Sequence, residues 1–206
     1  MRTLKRIYGM PALRWIELAI LVVGLTGSTC TEERDVQVVI AADITAQFAA
    51  TGATNEFSGS STVFLDDEIN LQEVLDDNGL ESIDEVTVQS AFYRVITPDP
   101  NPSRTITGAI SVHEGSNPDQ GLVSLASVLV DDPAYADWTA VPLLPGGVAV
   151  VNAALAQAVA GGSPTLTIST AGTSTPVDVP TGFVWEVKIR VNVVGTAKVT
   201  VVEPPI

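Results

Sequence analysis

Two long stretches of the chain alternate apolar and polar residues with a period of two. Every even position of Val36–Ala50 is apolar, and every odd position of Phe183–Val193 is apolar. Because successive side chains of a strand point to opposite faces of a sheet, each stretch predicts a strand with one buried face. The first stretch is longer than an average strand, so we expect a bend or bulge near Ala41–Asp43. Gly195-Thr196 predicts a turn, which would fold Ala197–Val201 back as a C-terminal hairpin.

Five shorter stretches are rich in residues that favour strands and are bounded by turn formers. They are Phe57–Leu65, Val86–Ile96, Ile106–Val112, Leu122–Val130 and Thr165–Ser169. The apolar phase of the second stretch slips by one residue, which predicts a bulge near Gln89-Ser90. We expect the second and third stretches to pair as a hairpin across the proline-rich loop 97–103. The fourth stretch is an apolar run interrupted only by Ser124 and Ser127, which predicts a strand buried on both faces or packed under a helix.

Two other stretches have the features of short helices. Residues 70–78 begin with the capping-box sequence Asn70-Leu71-Gln72-Glu73 and end at Asn78-Gly79. Residues 146–160 place apolar side chains at spacings of three and four, as one face of a helix requires, and end before Gly161-Gly162. This second helix is apolar enough to lie across an open end or face of the sheets.

The order of these elements predicts a mainly β protein. Helices are too few for a doubly wound α/β sheet, in which a helix follows nearly every strand. We therefore expect a single antiparallel β-sandwich of about 7–8 strands with two short inserted helices, at 70–78 and 146–160.

The first thirty residues are typical of an export signal. A basic head is followed by the apolar run Leu18–Leu25 and by small polar residues at 26–29. The basic residues are Arg2, Lys5, Arg6 and Arg14. The apolar run is much shorter than the roughly 20 residues that a membrane-spanning helix needs, so an uncleaved anchor is a minor alternative.

Cys30 is the only cysteine and follows directly after this segment. A lone thiol cannot form an intramolecular disulfide, so in an exported protein it needs another explanation. Its placement resembles the bacterial lipoprotein signal, in which a cysteine after the apolar run is lipidated and becomes the first mature residue. Gly27 and Thr29 differ from the residues which that signal prefers. The resemblance implies a lipid anchor on Cys30, and simple secretion after cleavage near Ser28 or Thr29 is the alternative.

This organisation divides the chain into a signal peptide at 1–29, a short tether at 30–34 and the β-sandwich domain at 35–206. The chain after residue 29 contains six basic and 23 acidic residues, a formal charge of −17. So few and scattered cations cannot neutralise a phosphate backbone, which excludes nucleic acid as a partner. The partners that we expect are a membrane, reached through the lipid anchor, and an envelope protein or glycan.

Residues suited to catalysis or to metal binding are scarce. His113 is the only histidine and no G-x-S-x-G motif occurs, so we expect no serine-hydrolase site. One histidine and one cysteine cannot complete a zinc site. The acidic groups Asp66-Asp67-Glu68, Asp76-Asp77 and Asp131-Asp132 leave weak calcium binding or a carboxylate-dependent hydrolase open. We predict a protein without enzyme activity, metal site or cofactor.

Exposed aromatic rings would favour a carbohydrate-binding module. Tyr135 and Trp138 lie in a predicted loop and are the candidate ligand-binding residues. Trp185 shares the apolar phase of its strand, so we expect it in the core. A hydrophobic plug under the following helix is the alternative interpretation of Trp138, because the apolar residues Val141 and Leu143 follow it.

These observations predict an exported, lipid-anchored β-sandwich protein of a bacterial envelope or cell surface, with a structural or binding role. The alternatives are a carbohydrate- or calcium-binding module, a carboxylate-dependent hydrolase, and a self-assembling surface subunit whose C-terminal hairpin leaves an exposed edge. If Cys30 is not lipidated, we expect the protein to be secreted.

Overall fold

The computed structural model describes residues 18–19, 32–52, 55–97, 105–129, 137–175 and 181–201. The strands in this part of the chain are β1 (Leu18–Ala19), β2 (Glu32–Gly52), β3 (Glu56–Phe64), β4 (Leu80–Thr97), β5 (Thr105–Glu114), β6 (Gln120–Leu129), β7 (Thr139–Val141), β8 (Thr165–Thr175) and β9 (Thr181–Val201). The helices are α1 (Leu65–Glu68), α2 (Leu71–Asn78) and α3 (Pro145–Val159).

Two antiparallel sheets form a β-sandwich, which confirms the predicted fold class. The first sheet has the strand order β1-β2-β9-β4-β7, and the second has the order β3-β8-β5-β6. Apart from the two-residue β1, each sheet contains four strands. The inward faces of both sheets contribute to one hydrophobic core, because each sheet must cover its apolar face with the other.

β2 and β9 are the longest strands, with 21 residues each, and they pair along their whole length. The predicted alternation is confirmed: Ile40, Ile44 and Phe48 of β2 are buried. The register between the two strands has no shift, so a bulge near Ala41–Asp43 is wrong. Because β9 is equally long and equally regular, neither strand needs an extra residue to keep its apolar face inward.

The predicted C-terminal hairpin is wrong, because β9 continues through Gly195-Thr196 as far as Val201. Val193 and Ala197, on either side of the glycine, are both buried, as an uninterrupted strand requires. A Cβ atom on Gly195 would lie 2.6 Å from the backbone oxygen of Ser82 in β4. This glycine therefore permits close packing of two strands and does not form a turn.

The predicted hairpin between Val86–Ile96 and Ile106–Val112 is also wrong. β4 pairs with β9 and β7 in the first sheet, whereas β5 pairs with β6 and β8 in the second. β9 offers the 18-residue β4 a ladder along nearly its whole length, which the ten-residue β5 cannot provide. The bulge near Gln89-Ser90 is confirmed by a shift in the β4–β9 register at this point.

Both predicted helices are confirmed. α2 follows Asn70, whose side chain accepts a hydrogen bond from the backbone N–H of Glu73 at 3.1 Å, and it ends at Gly79 with φ of 60°. α3 packs against β6, in which Leu122 and Val123 are both buried, so this apolar stretch does lie under a helix. The single turn α1 and the three-residue β7 were not predicted.

Aromatic side chains fill the centre of the core. Trp185 is fully buried, as predicted, and its ring centroid lies 5.8 Å from that of Phe48. Phe183 contacts Phe57 edge to face, also with centroids 5.8 Å apart. Within the described residues, two buried polar atoms have no hydrogen-bond partner, Thr170 Oγ1 and Trp185 Nε1.

Candidate functional site

Several of the predicted site residues lie outside the described part of the chain. They are Cys30, Tyr135, the acidic pair Asp131-Asp132 and the proline-rich loop from residue 98 onward. Of the predicted signal peptide only Leu18–Ala19 is described, as strand β1. Strand β2 begins at Glu32, inside the range predicted as a tether.

Trp138 lies directly before β7, at a charged region on the outward face of the first sheet. Three cross-strand pairs bring its neighbours together: Asp43 with Arg190, Phe92 with Lys188, and Arg94 with Glu186. We call these six residues and Trp138 the Trp138 cluster. Thr139 pairs with Tyr93, and this register brings Trp138 beside Arg94.

Two cations contact the ring of Trp138. The guanidinium carbon of Arg94 lies 4.5 Å from the ring centroid, and the ammonium nitrogen of Lys188 lies 4.2 Å from it. Phe92 contributes a second ring, 5.0 Å from the same Lys188 nitrogen. Distances below about 6 Å allow the ring quadrupole to attract a cation, so both rings stabilise the charge of Lys188.

Both arginines of the cluster are paired with carboxylates. Arg94 Nη2 lies 2.6 Å from Glu186 Oε2. Arg190 donates from Nε to Asp43 Oδ1 at 3.0 Å and from Nη2 to Asp43 Oδ2 at 3.3 Å, which is a two-point ion pair. The side chains of Arg94 and Arg190 nevertheless stay 38% and 36% exposed.

Lys188 is the most enclosed charge of the cluster, with 9% of its surface exposed. Burial lowers the pKa of Lys188 below its ordinary value, and the positive charges of Arg190 and Arg94 act in the same direction. The carboxylate of Asp43, with Oδ2 3.6 Å from the lysine nitrogen, opposes them. The net lowering means that the charged form of this lysine is held at a cost in folding free energy.

The cluster combines positive charge, a partly exposed indole and hydrogen-bond donors on one face. It contains three of the six basic residues that follow residue 29. Its two acids leave a formal local charge of +1 in a strongly acidic protein. Guanidinium groups recognise carboxylates with two parallel hydrogen bonds, and an aromatic ring can stack on a sugar, so this face has the chemistry to bind an acidic ligand.

Sequence reasoning identified Trp138 but not its partners. The polar phase of β9 contains Glu186, Lys188 and Arg190, so alternation alone could have placed these three on one outward face. Their contact with Trp138 depends on β7 pairing with β4, and a three-residue strand leaves no periodic signal. The cluster could therefore not be assembled from the sequence.

The other candidate residues take part in local contacts. His113 Nδ1 lies 2.6 Å from Asp119 Oδ1, across the turn between β5 and β6. Glu68 accepts a hydrogen bond from the backbone N–H of Thr45 at 3.4 Å, and Asp76 accepts one from Gln72. Within the described ranges, no group of three or more His, Cys, Asp or Glu residues is placed to hold a metal ion.

None of the helices in the described ranges has the length and apolar character to cross a bilayer.

The chain was also compared with known proteins. No protein-family model, no curated protein and no solved structure matches it.

Proposed function

We propose that this chain is an exported protein of a bacterial envelope or surface, anchored by lipid on Cys30, with a structural or binding role and no catalytic activity. The observation that carries the proposal is the order of the first thirty residues: basic head, apolar run, small polar residues and then the only cysteine. After cleavage this cysteine would begin the mature chain, where an acyl group can hold a folded domain at a membrane surface.

The charge of the remaining chain supports the same proposal. With six basic and 23 acidic residues after residue 29, the domain is repelled by anionic lipid headgroups and has no electrostatic affinity for them. Membrane association would therefore depend on the lipid. Cys30 would therefore determine whether the protein is found at the membrane.

A cell-fractionation experiment tests the proposal. The full chain is expressed in a bacterium with lipoprotein processing, alongside a Cys30→Ser variant, and both are followed in membrane and soluble fractions. We expect the natural chain in the membrane fraction, released by detergent but not by high salt, and the variant in the soluble extracytoplasmic fraction. Equal distribution of the two chains would contradict the proposal.

A second candidate function is the binding of an acidic carbohydrate by the Trp138 cluster. The contact of Trp138 with Arg94 and Lys188 favours it, because the cluster joins a partly exposed indole to half-exposed guanidinium groups. Carboxylates of a uronic acid could exchange with Glu186 as partners of Arg94, while a sugar ring lies against the indole edge. Neutral sugars carry no carboxylate that could pair with Arg94.

Fluorescence titration of the chain beginning at Thr31 tests this candidate. Trp138 and Trp185 are its only tryptophans, and Trp185 is fully buried, so a saturable change reports on Trp138. We expect a change with an oligogalacturonate, none with a neutral oligosaccharide, and a loss of affinity on Arg94→Gln. Lys198→Gln, which removes a cation outside the cluster, is the matched control. Equal responses to both sugars, or none to either, would contradict the candidate.

A further inference from the structure

The outer side of β2 forms one edge of the first sheet. In the described part of the chain, this side pairs only at Val39 and Ile40, with β1. β2 is nevertheless 21 residues long and has no register shift against β9. A long, regular edge strand is a template for pairing with another strand.

The opposite side of the sandwich is closed in several ways. Its edge strand β7 has only three residues, and β4 next to it is interrupted by register shifts. Leu143 forms a bridge to Val123 of the second sheet, and the N–H of Leu144 donates to the carbonyl of Leu122 at 2.8 Å. Short strands, bulges and covering segments are the usual protections of a sheet edge. Among the described edge strands of the first sheet, only β2 is long and regular.

One hydrogen bond establishes which backbone groups of β2 point outward. The N–H of Thr45 donates to Glu68 of α1, on the side away from β9. Alternate residues of a strand point their backbone groups the same way, so the odd residues of β2 face outward. α1 covers this edge at Thr45, which leaves Glu33–Asp43 as the accessible stretch. It contains no proline and no lysine, the residues that usually protect an edge.

We propose that, once residues 1–29 are removed, β2 of a second copy takes the place of β1 and joins the two first sheets into one antiparallel sheet. This inference rests on the proposed export and cleavage, which remove β1 along with the signal. The pairing of β1 with β2 is itself antiparallel, so the edge already accepts a strand in this orientation. Two copies related by a two-fold axis pair the same strand with itself antiparallel.

The accessible stretch selects the register. A two-fold axis at Val38 brings Glu33 of one copy opposite Asp43 of the other, so it uses the whole of Glu33–Asp43. An axis at Val39 would instead bring Glu33 opposite Thr45, whose backbone N–H already donates to Glu68 of α1. With the axis at Val38, Asp35 lies opposite Ala41, and the Asp43 that faces Glu33 already pairs with Arg190 and Lys188, so no acid faces an unmatched acid.

Light scattering with size-exclusion chromatography tests the proposal on the chain beginning at Thr31. The buried core of the described residues runs from Ile40 to Ala197, so this truncation keeps all of it. We expect a dimer whose fraction grows with concentration, while the full chain in detergent, which retains β1, stays monomeric. A monomeric truncated chain at all concentrations, or an equally dimeric full chain, would overturn the inference.

A matched pair of variants locates the interface. Val39→Lys places a charge on the accessible edge, and Ile96→Lys makes the same change on β4; the two natural side chains are 40% and 43% exposed. We expect Val39→Lys to weaken dimerisation at least about tenfold, because a lysine on an edge opposes strand addition, and Ile96→Lys to leave it unchanged. Equal effects of the two variants would place the contact elsewhere.

A cross-link tests the register. The chain after Cys30 contains no cysteine, so Val38→Cys introduces the only thiol of the truncated chain. At the proposed axis the two Val38 Cα atoms form a non-hydrogen-bonded pair about 4.5 Å apart, within the range that a disulfide spans. We expect a covalent dimer under mild oxidation, and its absence in a dimeric sample would refute this register. Because the truncated chain is made directly, these results do not depend on lipidation of Cys30.

Discussion

Lys188 and Trp138 lie against each other, with the lysine nitrogen 4.2 Å from the indole centroid, although β4 lies between β9, which contains Lys188, and β7, which Trp138 directly precedes. The ammonium group of Lys188 lies near two aromatic rings, those of Trp138 and Phe92, and near the carboxylate of Asp43. Such an enclosure favours positive charge through the rings and Asp43 but removes the ammonium group from water. Burial lowers the pKa of Lys188, and this lowering outweighs the opposite effect of the Asp43 carboxylate.

Replacement of this lysine by an apolar side chain of similar length should therefore not harm the fold. We expect Lys188→Met to raise the free energy of unfolding by about 1 kcal/mol at neutral pH, because Asp43 keeps its two-point pair with Arg190 and the desolvation cost disappears. Urea unfolding measures the difference. Lys198→Met, at a half-exposed lysine, is the control and should change stability very little.

The same lysine gives a signature in pH. Its folded pKa lies below the ordinary 10.5, so between the two values the unfolded chain binds more protons and stability rises with pH. The advantage of Lys188→Met should therefore shrink as the pH rises toward 10.5. A difference between variant and natural chain that stays constant over this alkaline range would contradict the buried, desolvated state of Lys188.

Two glycines of β9 differ sharply in the space around them. A Cβ on Gly195 would lie 2.6 Å from Ser82 O and 2.7 Å from Leu80 Cδ1, whereas one on Gly182 would meet nothing within 4 Å. We expect Gly195→Ala to destabilise the protein by about 2 kcal/mol through overpacking, and Gly182→Ala to be neutral. Thermal unfolding of the two variants decides; a tolerated Gly195→Ala would speak against the close approach of β4 and β9.

A side chain of α3 accepts a hydrogen bond from a backbone N–H beside the bulge in β4. Asn152 Oδ1 accepts a hydrogen bond from the backbone N–H of Val88 at 2.8 Å. Asn152→Leu should cost about 1–2 kcal/mol, because that N–H loses its acceptor in a partly buried position. Asn152→Asp keeps an acceptor oxygen and should retain most of the stability. If chemical denaturation shows equal losses for both variants, the hydrogen bond is not what stabilises the bulge.

The hydroxyl of Thr170 is buried in β8 without a hydrogen-bond partner among the described residues. Thr170→Val replaces it with a methyl group of similar size, and we expect about 1 kcal/mol of added stability because an unsatisfied polar group is removed. Thr173→Val, at an exposed position of the same strand, accounts for any gain in strand propensity. A gain no larger than that of the control would show that the Thr170 hydroxyl has a partner in solution.

The strands and helices could be predicted where a periodic pattern extends over several residues. The alternation in β2 and β9, the phase slip at Gln89-Ser90 and the cap at Asn70 all carried local signals, and each was confirmed. Strand pairing has no such signal, because it is decided by the ladders that distant strands offer one another. The predicted hairpin between Val86–Ile96 and Ile106–Val112 failed for this reason.

Glycine was the other source of error. In Gly195-Thr196 the residue types matched a turn, yet a glycine also serves where two backbones approach, and only the position of Ser82 distinguishes the two uses. The Trp138 cluster was missed for a related reason. Its members come from β2, β4, β9 and the residue before β7, and no sequence spacing brings these four segments together.

The mass of the N-terminal peptide, from protein isolated out of bacterial cells, tests the central claim most directly. A protease digest of the purified mature protein is analysed for the peptide that precedes Glu33. We expect it to begin at Cys30 and to carry the added mass of acyl lipid on that residue. A peptide that begins elsewhere with no added mass, or one that still contains Met1, would contradict the lipid-anchored account.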